Sequence, residues 1–266
     1  MSAGKVVVVT SGKGGVGKTT TTANIGAALA KMGKSVCVLD MDIGLRNLDI
    51  LMGLENRVVY NLVDVVEGSC QIKQALVKDK KLPNLCLLAA AQTRDKTAVN
   101  EEQIKTLVED LRKLFDFVLV DCPAGIESGF QNSIAGADRA LIVVTPEMSS
   151  VRDADRIVGL LEARRSQFED INLIINRVRP GLIETNQMMT VEDIQEILSV
   201  DLIGVVPDDE DIVVSTNKGE PLVLTNNKRA GQAYKNIASR LLGEEVEFMD
   251  LNKSLGIVGK LKAMFR

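Results

Sequence analysis

The sequence predicts an α/β fold, a doubly wound and mostly parallel sheet with helices on both faces, of the P-loop NTPase kind, followed by a C-terminal amphipathic helix. Three observations predict it. Short β-branched runs alternate with longer amphipathic stretches along the chain. Most of those runs are apolar throughout, as strands buried on both faces of a parallel sheet are. The first run opens straight into a glycine-rich loop and then a helix, the strand–loop–helix join of phosphate-binding folds.

The expected elements follow in chain order. Residues 5–10 form the first strand, and a helix over 18–31 leaves the glycine loop directly. Strand 35–40 ends on Asp40, and strand 85–89 is built of Leu, Cys and Ala. Helix 101–114 begins after Asn100, with Gln103 in the capping-box position. Strand 117–121 ends on Asp121. Strand 140–145 precedes helix 151–164, which carries Val151, Ala154, Ile157, Val158 and Leu161 on one face. Strand 171–176 ends on Asn176, and helix 190–198 opens on a Thr-x-x-Asp cap. Strand 202–206 and helix 230–242 complete the series. No linker, low-complexity tract or repeat interrupts it, so residues 1–251 read as one domain and 252–266 as a tail.

Absences narrow the chemistry. The 266 residues include no His and no Trp, with only 2 Tyr and 6 Phe. Without histidine there is no Ser-His-Asp triad, no His-ligated zinc and no histidine base. With so few aromatics, a sheet of stacking platforms for single-stranded nucleic acid is not expected. A net charge of −4 argues against a global grip on nucleic acid, so none is expected as a partner. Cys37, Cys70, Cys86 and Cys122 form no C-x-x-C pair, and three lie in apolar runs, the pattern of buried reduced thiols. The opening apolar run of four Val is shorter than a signal peptide's, so none is expected, and no apolar run reaches the roughly 20 residues of a membrane span.

The charge is unevenly spread. Residues 252–266 hold Lys253, Lys260, Lys262 and Arg266 and no acid, so of the net −4 the tail contributes +4 and leaves −8 on residues 1–251. On a helical projection Ile257, Val258, Leu261, Met264 and Phe265 fall within an arc of about 120°, with cations on both flanks. Gly256 and Gly259 weaken that helix in water by about 1 kcal/mol each, so it is expected to fold on a surface. Leu255, Ile257, Val258, Lys260, Leu261, Lys262, Met264 and Phe265 are therefore the candidate contacts to an anionic membrane.

The glycine loop carries the chemistry. Gly12-Lys13-Gly14-Gly15-Val16-Gly17-Lys18-Thr19 matches G-x-x-x-x-G-K-[ST] between a strand and a helix, which chance supplies in roughly 1% of such chains. Glycines let backbone N–H groups converge on phosphate oxygens, and the helix N-terminus adds partial positive charge. Lys18 is expected to bridge the β- and γ-phosphates, Thr19 to bind Mg²⁺ and Thr20 to touch the α-phosphate. Asp121, at the end of an apolar strand, is the second Mg²⁺ candidate. Gly125 follows in Pro-Ala-Gly, where an N–H could sense the γ-phosphate. Asn176 ends a strand on the far side of the sheet, where its amide can pair with adenine.

The second lysine of the loop, Lys13, resembles the signature lysine of the deviant Walker A family of P-loop ATPases. Residues 6–22, 40–49 (Asp-Met-Asp-Ile-Gly-Leu-Arg-Asn-Leu-Asp), 91–96, 123–127 (Pro-Ala-Gly-Ile-Glu) and 149–153 resemble the division-site-placing MinD branch of that family, over essentially the whole chain. The resemblance implies a Mg-ATP-dependent homodimer that hydrolyses ATP, binds the membrane in its ATP form and is released by hydrolysis. It implies a division inhibitor of the MinC kind and an activator of the MinE kind as partners. The protein would then be cytoplasmic or stromal, and peripheral on the inner face of the membrane. It implies that Lys13 reaches the nucleotide of the partner subunit, Asp42 orients the attacking water and Asp40 couples the loop to nucleotide state. It implies that Asn176 with Arg177, and Pro207 with Asp208, flank the purine base, and that the helix bearing Arg152 and Asp153 meets partners. A ParA-type DNA-partition ATPase shares the loop, but it would need basic patches that a body at −8 does not offer. An iron–sulfur relative would need paired cysteine ligands, and a non-catalytic nucleotide-binding scaffold would not need Asp42 or Lys13.

Overall fold

The structure, a computed structural model, describes residues 3–225 and 229–251. In the first half lie β1 (Lys5–Thr10), α1 (Lys18–Lys31), β2 (Val36–Asp40), α2 (Leu48–Leu51), α3 (Leu62–Val66), α4 (Ile72–Ala75), β3 (Val77–Lys78) and β4 (Leu85–Leu88). Next come α5 (Glu101–Leu111), β5 (Phe117–Asp121), α6 (Ser128–Ile134), β6 (Arg139–Val144), α7 (Met148–Glu162) and β7 (Asp170–Val178). Then follow α8 (Pro180–Glu184), α9 (Val191–Leu198), β8 (Asp201–Pro207), α10 (Asp211–Asn217) and α11 (Arg229–Leu241).

The strands join in the order β3-β4-β2-β5-β1-β6-β7-β8. Every pairing is parallel except β3 on β4. Successive side chains of a strand point to opposite faces, and both faces here are covered. Thus Val6 and Val8 join one apolar layer, with Ile104 and Leu107 of α5, Phe130 of α6 and Ile157 of α7. Val7 and Val9 join the other, with Ile25 and Leu29 of α1 and Tyr234 and Ile237 of α11. Helix and sheet meet closely there: a Cβ on Gly204 of β8 would lie 2.3 Å from Ile237.

The expected architecture is present, with differences at the ends of elements. Strand β2 starts one residue late, because the Ser35 N–H and hydroxyl both donate to the Asp116 carboxylate at 2.7 Å. Strand β7 runs two residues past Asn176 to Val178, through an irregular register against β8. Helix α5 stops at Leu111 and α7 starts early at Met148. Both expected capping boxes form, Asn100 with Gln103 and Thr190 with Asp193. The edge strand β3 and the short helices α2, α3, α4, α6, α8 and α10 were not expected; at two to seven residues they are too short to show a period.

Strand β1 is central, and the chain leaves it toward β2 and β4 on one side and later toward β6, β7 and β8 on the other. Parallel strands bring their C-terminal ends to one edge of the sheet, and a crevice opens where the winding reverses. Among the described residues no helix is long and apolar enough to cross a membrane. The membrane candidates Leu255, Ile257, Val258, Lys260, Leu261, Lys262, Met264 and Phe265 lie outside the described residues.

Candidate active site

The loop between β1 and α1 is set by its glycines. Gly15 and Gly17 have φ of 78° and 100°, in the left-handed region that other residues enter only with strain. Gly12 is required for space: a Cβ there would lie 2.1 Å from the backbone oxygen of Asp153 on α7. Val16 is the loop's one apolar anchor, buried in the layer beneath α1. The loop is thereby held open to solvent at Gly14 and Gly15.

Lys18 opens α1 and is 7% exposed. Its Nζ donates to Ser11 Oγ at 3.0 Å, and that hydroxyl donates to the Lys13 carbonyl at 2.8 Å. The cation is thus folded back over the loop it is expected to serve. Thr20 is half-buried, and its carbonyl accepts from Asn24 Nδ2 at 2.8 Å. Thr22, one turn after Lys18, donates to Lys18 O at 3.1 Å and to Asp121 Oδ1 at 3.2 Å.

Asp40 and Asp121 face each other in register on β2 and β5, both 1% exposed. Burial and the charge of Asp40 push the Asp121 carboxyl up to about 8, against stabilising contacts from Thr19, Lys18 and Thr22. Burial, with Asp42 and Asp49 nearby, pushes Asp40 up to about 6. Asp40 also organises the following loop: its two oxygens accept from the N–H of Asp42 at 2.9 Å and of Leu48 at 3.2 Å. That loop is closed by Arg46, at φ 47°, whose Nε donates to Asp49 at 2.6 Å. The half-buried Asp42 is presented at its start. Beside them Gly125, at φ 94°, lies after the Asp121 strand with its N–H 3.5 Å from the Ser11 carbonyl.

This donor set fits Mg²⁺. Thr19 and Asp121 offer hard oxygens beside the phosphate loop, and a carboxyl kept protonated by burial is one that a divalent cation would ionise.

Lys13 lies on the same chain's α7 start. Its Nζ donates to Glu147 Oε2 at 3.1 Å and to Ser149 Oγ at 2.8 Å. Neither partner was named as a functional residue from sequence, because each is more than 130 positions away. Thr22 was missed too, although its i+4 spacing from Lys18 on a helix placed it on the same face.

The base-side candidates also come together. Asn176 is buried; its Nδ2 donates to the Val16 carbonyl at 2.8 Å, while its Oδ1 finds no hydrogen-bond partner in the described structure. A buried carbonyl oxygen without a donor is costly, and here it borders the loop. Arg177 is exposed at φ 58° in the irregular stretch of β7. Pro207 stands opposite Val178, and the Asp208 N–H donates to the Val178 carbonyl at 3.0 Å. The Asp208 carboxylate pairs with Arg179 at 2.6 Å. On α7 Arg152 is exposed, whereas Asp153 is half-buried with its backbone against Gly12. The four cysteines are free thiols; Cys37, Cys86 and Cys122 are buried, and burial raises the Cys122 thiol to about 11.

Comparison with known proteins gives one answer. Residues 7–222 match the CobQ/CobB/MinD/ParA nucleotide binding domain. The chain is 58% identical over 247 residues to the septum site-determining protein MinD of Synechocystis, covering 92% of each chain. It superposes on MinD in the MinC:MinD cell division protein complex of Aquifex aeolicus with a TM-score of 0.86 and 48% identity, covering 92% of this chain and 99% of that one. It is also similar to the Pyrococcus horikoshii MinD complexed with Mg-ADP, with a TM-score of 0.80 and 27% identity, covering 89% and 95% of the two chains.

Proposed function

This chain belongs to the MinD/ParA family of nucleotide-binding domains, and from that premise we propose that it is a Mg-ATP-dependent ATPase that helps place the division site by cycling on and off a membrane. The observation that carries the reading is that Lys18, at the start of α1, acts on Asp121 at the end of β5, while Asp40 at the end of β2 stands opposite Asp121 and holds Asp42 just beyond it.

The residues take these parts. Backbone N–H groups of residues 14–18 and the α1 N-terminus receive the phosphates. Lys18 exchanges its contact with Ser11 for the β- and γ-phosphates. Thr19 and Asp121 would hold Mg²⁺, which neutralises charge on the β- and γ-phosphate oxygens when bound. Asp42 orients the attacking water. Asn176 offers its unpartnered Oδ1 to the amino group of adenine, between Arg177 and the Pro207-Asp208 turn. Lys13 leaves Glu147 and Ser149 to reach the phosphates of a second copy, so ATP favours the homodimer. A dimer carries two tails, and avidity raises binding to an anionic surface roughly 10²–10⁴-fold without new contacts. The membrane-bound form recruits a division inhibitor, as the Aquifex relative assembles with MinC. An activator of the MinE kind would hasten hydrolysis and release. These steps place the protein in the cytoplasm or stroma, and on the membrane face only with ATP.

Phosphate release measured with and without anionic vesicles tests the site. Lys18→Ala and Asp42→Ala are each expected to abolish vesicle-stimulated release, a loss of at least about 10²-fold. Unchanged release in either variant would remove that residue from the mechanism. Asn176→Ala is expected to weaken ATP binding about tenfold, the scale of one buried hydrogen bond, and to erase the preference for ATP over GTP. Equal discrimination by variant and parent would assign Asn176 to the loop alone.

A further inference from the structure

A second concavity lies away from the phosphate loop. A groove of about 790 Å³ runs between α8, α9, β8 and residues 248–251, and neither the P-loop nor the site aspartates line it. Its volume is in the roughly 300–1,000 Å³ range of sites that hold a ligand. Ile183, Val191, Leu202 and Val205 give it a half-buried apolar floor. Glu184, Glu192 and Asp201 stand exposed at its edge, and no lysine or arginine is among its lining residues.

The chain itself is led to this groove. Arg240 donates to the carbonyls of Val246, at 2.8 and 3.1 Å, and Glu247, at 3.0 Å, and lies 4.0 Å over the Phe248 ring. Arg229 donates to the Leu251 carbonyl at 2.7 Å. Leu251, the last described residue, therefore lies in the groove wall. The sequence continues from there with residues 252–266, which carry the apolar face of Ile257, Val258, Leu261, Met264 and Phe265 and four cations with no acid. As a helix this segment would be about 22 Å long. An apolar floor edged by carboxylates matches an apolar face edged by cations.

We propose that in the nucleotide-free monomer this groove seats the apolar face of residues 252–266 of the same chain, so that groove and anionic lipid compete for one set of side chains. The inference rests on reading that segment as the membrane-binding element, and it adds a resting place for it. A single tail has a seat at effectively high local concentration because it is tethered at Leu251. Lipid then displaces it when two tails act together.

Methyl NMR on the full nucleotide-free chain tests this, read at Ile183, Val191, Leu202 and Val205. Leu261→Glu, which spoils the tail's apolar face and leaves every residue of the body unchanged, is expected to shift these methyls. Vesicles of phosphatidylglycerol and phosphatidylcholine added to the parent chain are expected to move them toward the same positions. Glu184→Lys with Glu192→Lys, which reverses two exposed edge charges, is expected to lower the seated population about fivefold. Groove methyls indifferent to Leu261→Glu would overturn the proposal, and if the parent chain still binds the vesicles the membrane reading survives alone. Shifts on Leu261→Glu together with a parent chain that does not bind vesicles would keep the seat and overturn the membrane reading. Shifts that grow with protein concentration would assign the groove to a second copy and overturn the seat.

Discussion

Asp121→Asn is expected to lower Mg²⁺-dependent ATP turnover about 10²–10³-fold and, in the same protein without nucleotide, to raise stability at pH 8. The two effects have one cause. The carboxyl is fully buried beside Asp40, and its folded-state value is raised from 3.8 to about 8. Between about pH 4 and pH 8 the folded chain therefore holds a proton that the unfolded chain has released. Stability falls as pH rises through that window, by up to about 1.4 kcal/mol per pH unit from this group. Asparagine does not titrate, and its oxygen can still accept from Thr22, so the variant escapes the fall. Its advantage is expected to be several kcal/mol at pH 8 and to vanish near pH 4. Asp40, raised to about 6, imposes a smaller fall of the same sign that ends nearer pH 6 and remains in the variant. Urea unfolding in EDTA across this range measures the difference. A variant less stable than its parent at pH 8 would show that the carboxylate is satisfied in the empty site and is not waiting for a cation.

Removal of residues 252–266 is expected to abolish ATP-dependent sedimentation with anionic vesicles while leaving ATP binding intact. The loss is of the order of the avidity gained by two tails, roughly 10²–10⁴-fold in apparent affinity. The body carries −8 and is repelled by an anionic surface, so it offers no second route to the membrane. The comparison has three arms: the full chain with ATP, the full chain with ADP, and the shortened chain with ATP. Equal sedimentation in all three would sink both the tail and the ATP-dependence assigned to it.

Much of the site was legible because its parts are local. The loop from Gly12 to Thr19 is contiguous, and its spacing alone specifies backbone N–H groups, a cation and a hydroxyl around a phosphate. Asp40 and Asp121 were legible because an acid that ends an apolar strand stands out in composition. The caps at Asn100 and Thr190 were legible because each is complete within four residues. The short helices were not, since four to seven residues do not complete a recognisable period.

The sequence by itself determined which groups are available: a phosphate loop, no histidine, oxygen ligands, and a cationic tail on an acidic body. Local order suffices for these, because they are set by residue type and spacing along a single strand, loop or helix. Only the tertiary structure decided their relations. It set Lys13 against Glu147 and Ser149, Lys18 on Ser11, Asp121 opposite Asp40, and Asn176 under Val16. It also decided that Leu251 lies in the wall of an apolar groove edged with carboxylates. These pairings join residues from 7 to 160 positions apart. Distance along the chain carries no record of them. Strand order, burial and the reversal of winding at β1 do, because those alone bring the ends of separate strands to one edge and remove their charges from water.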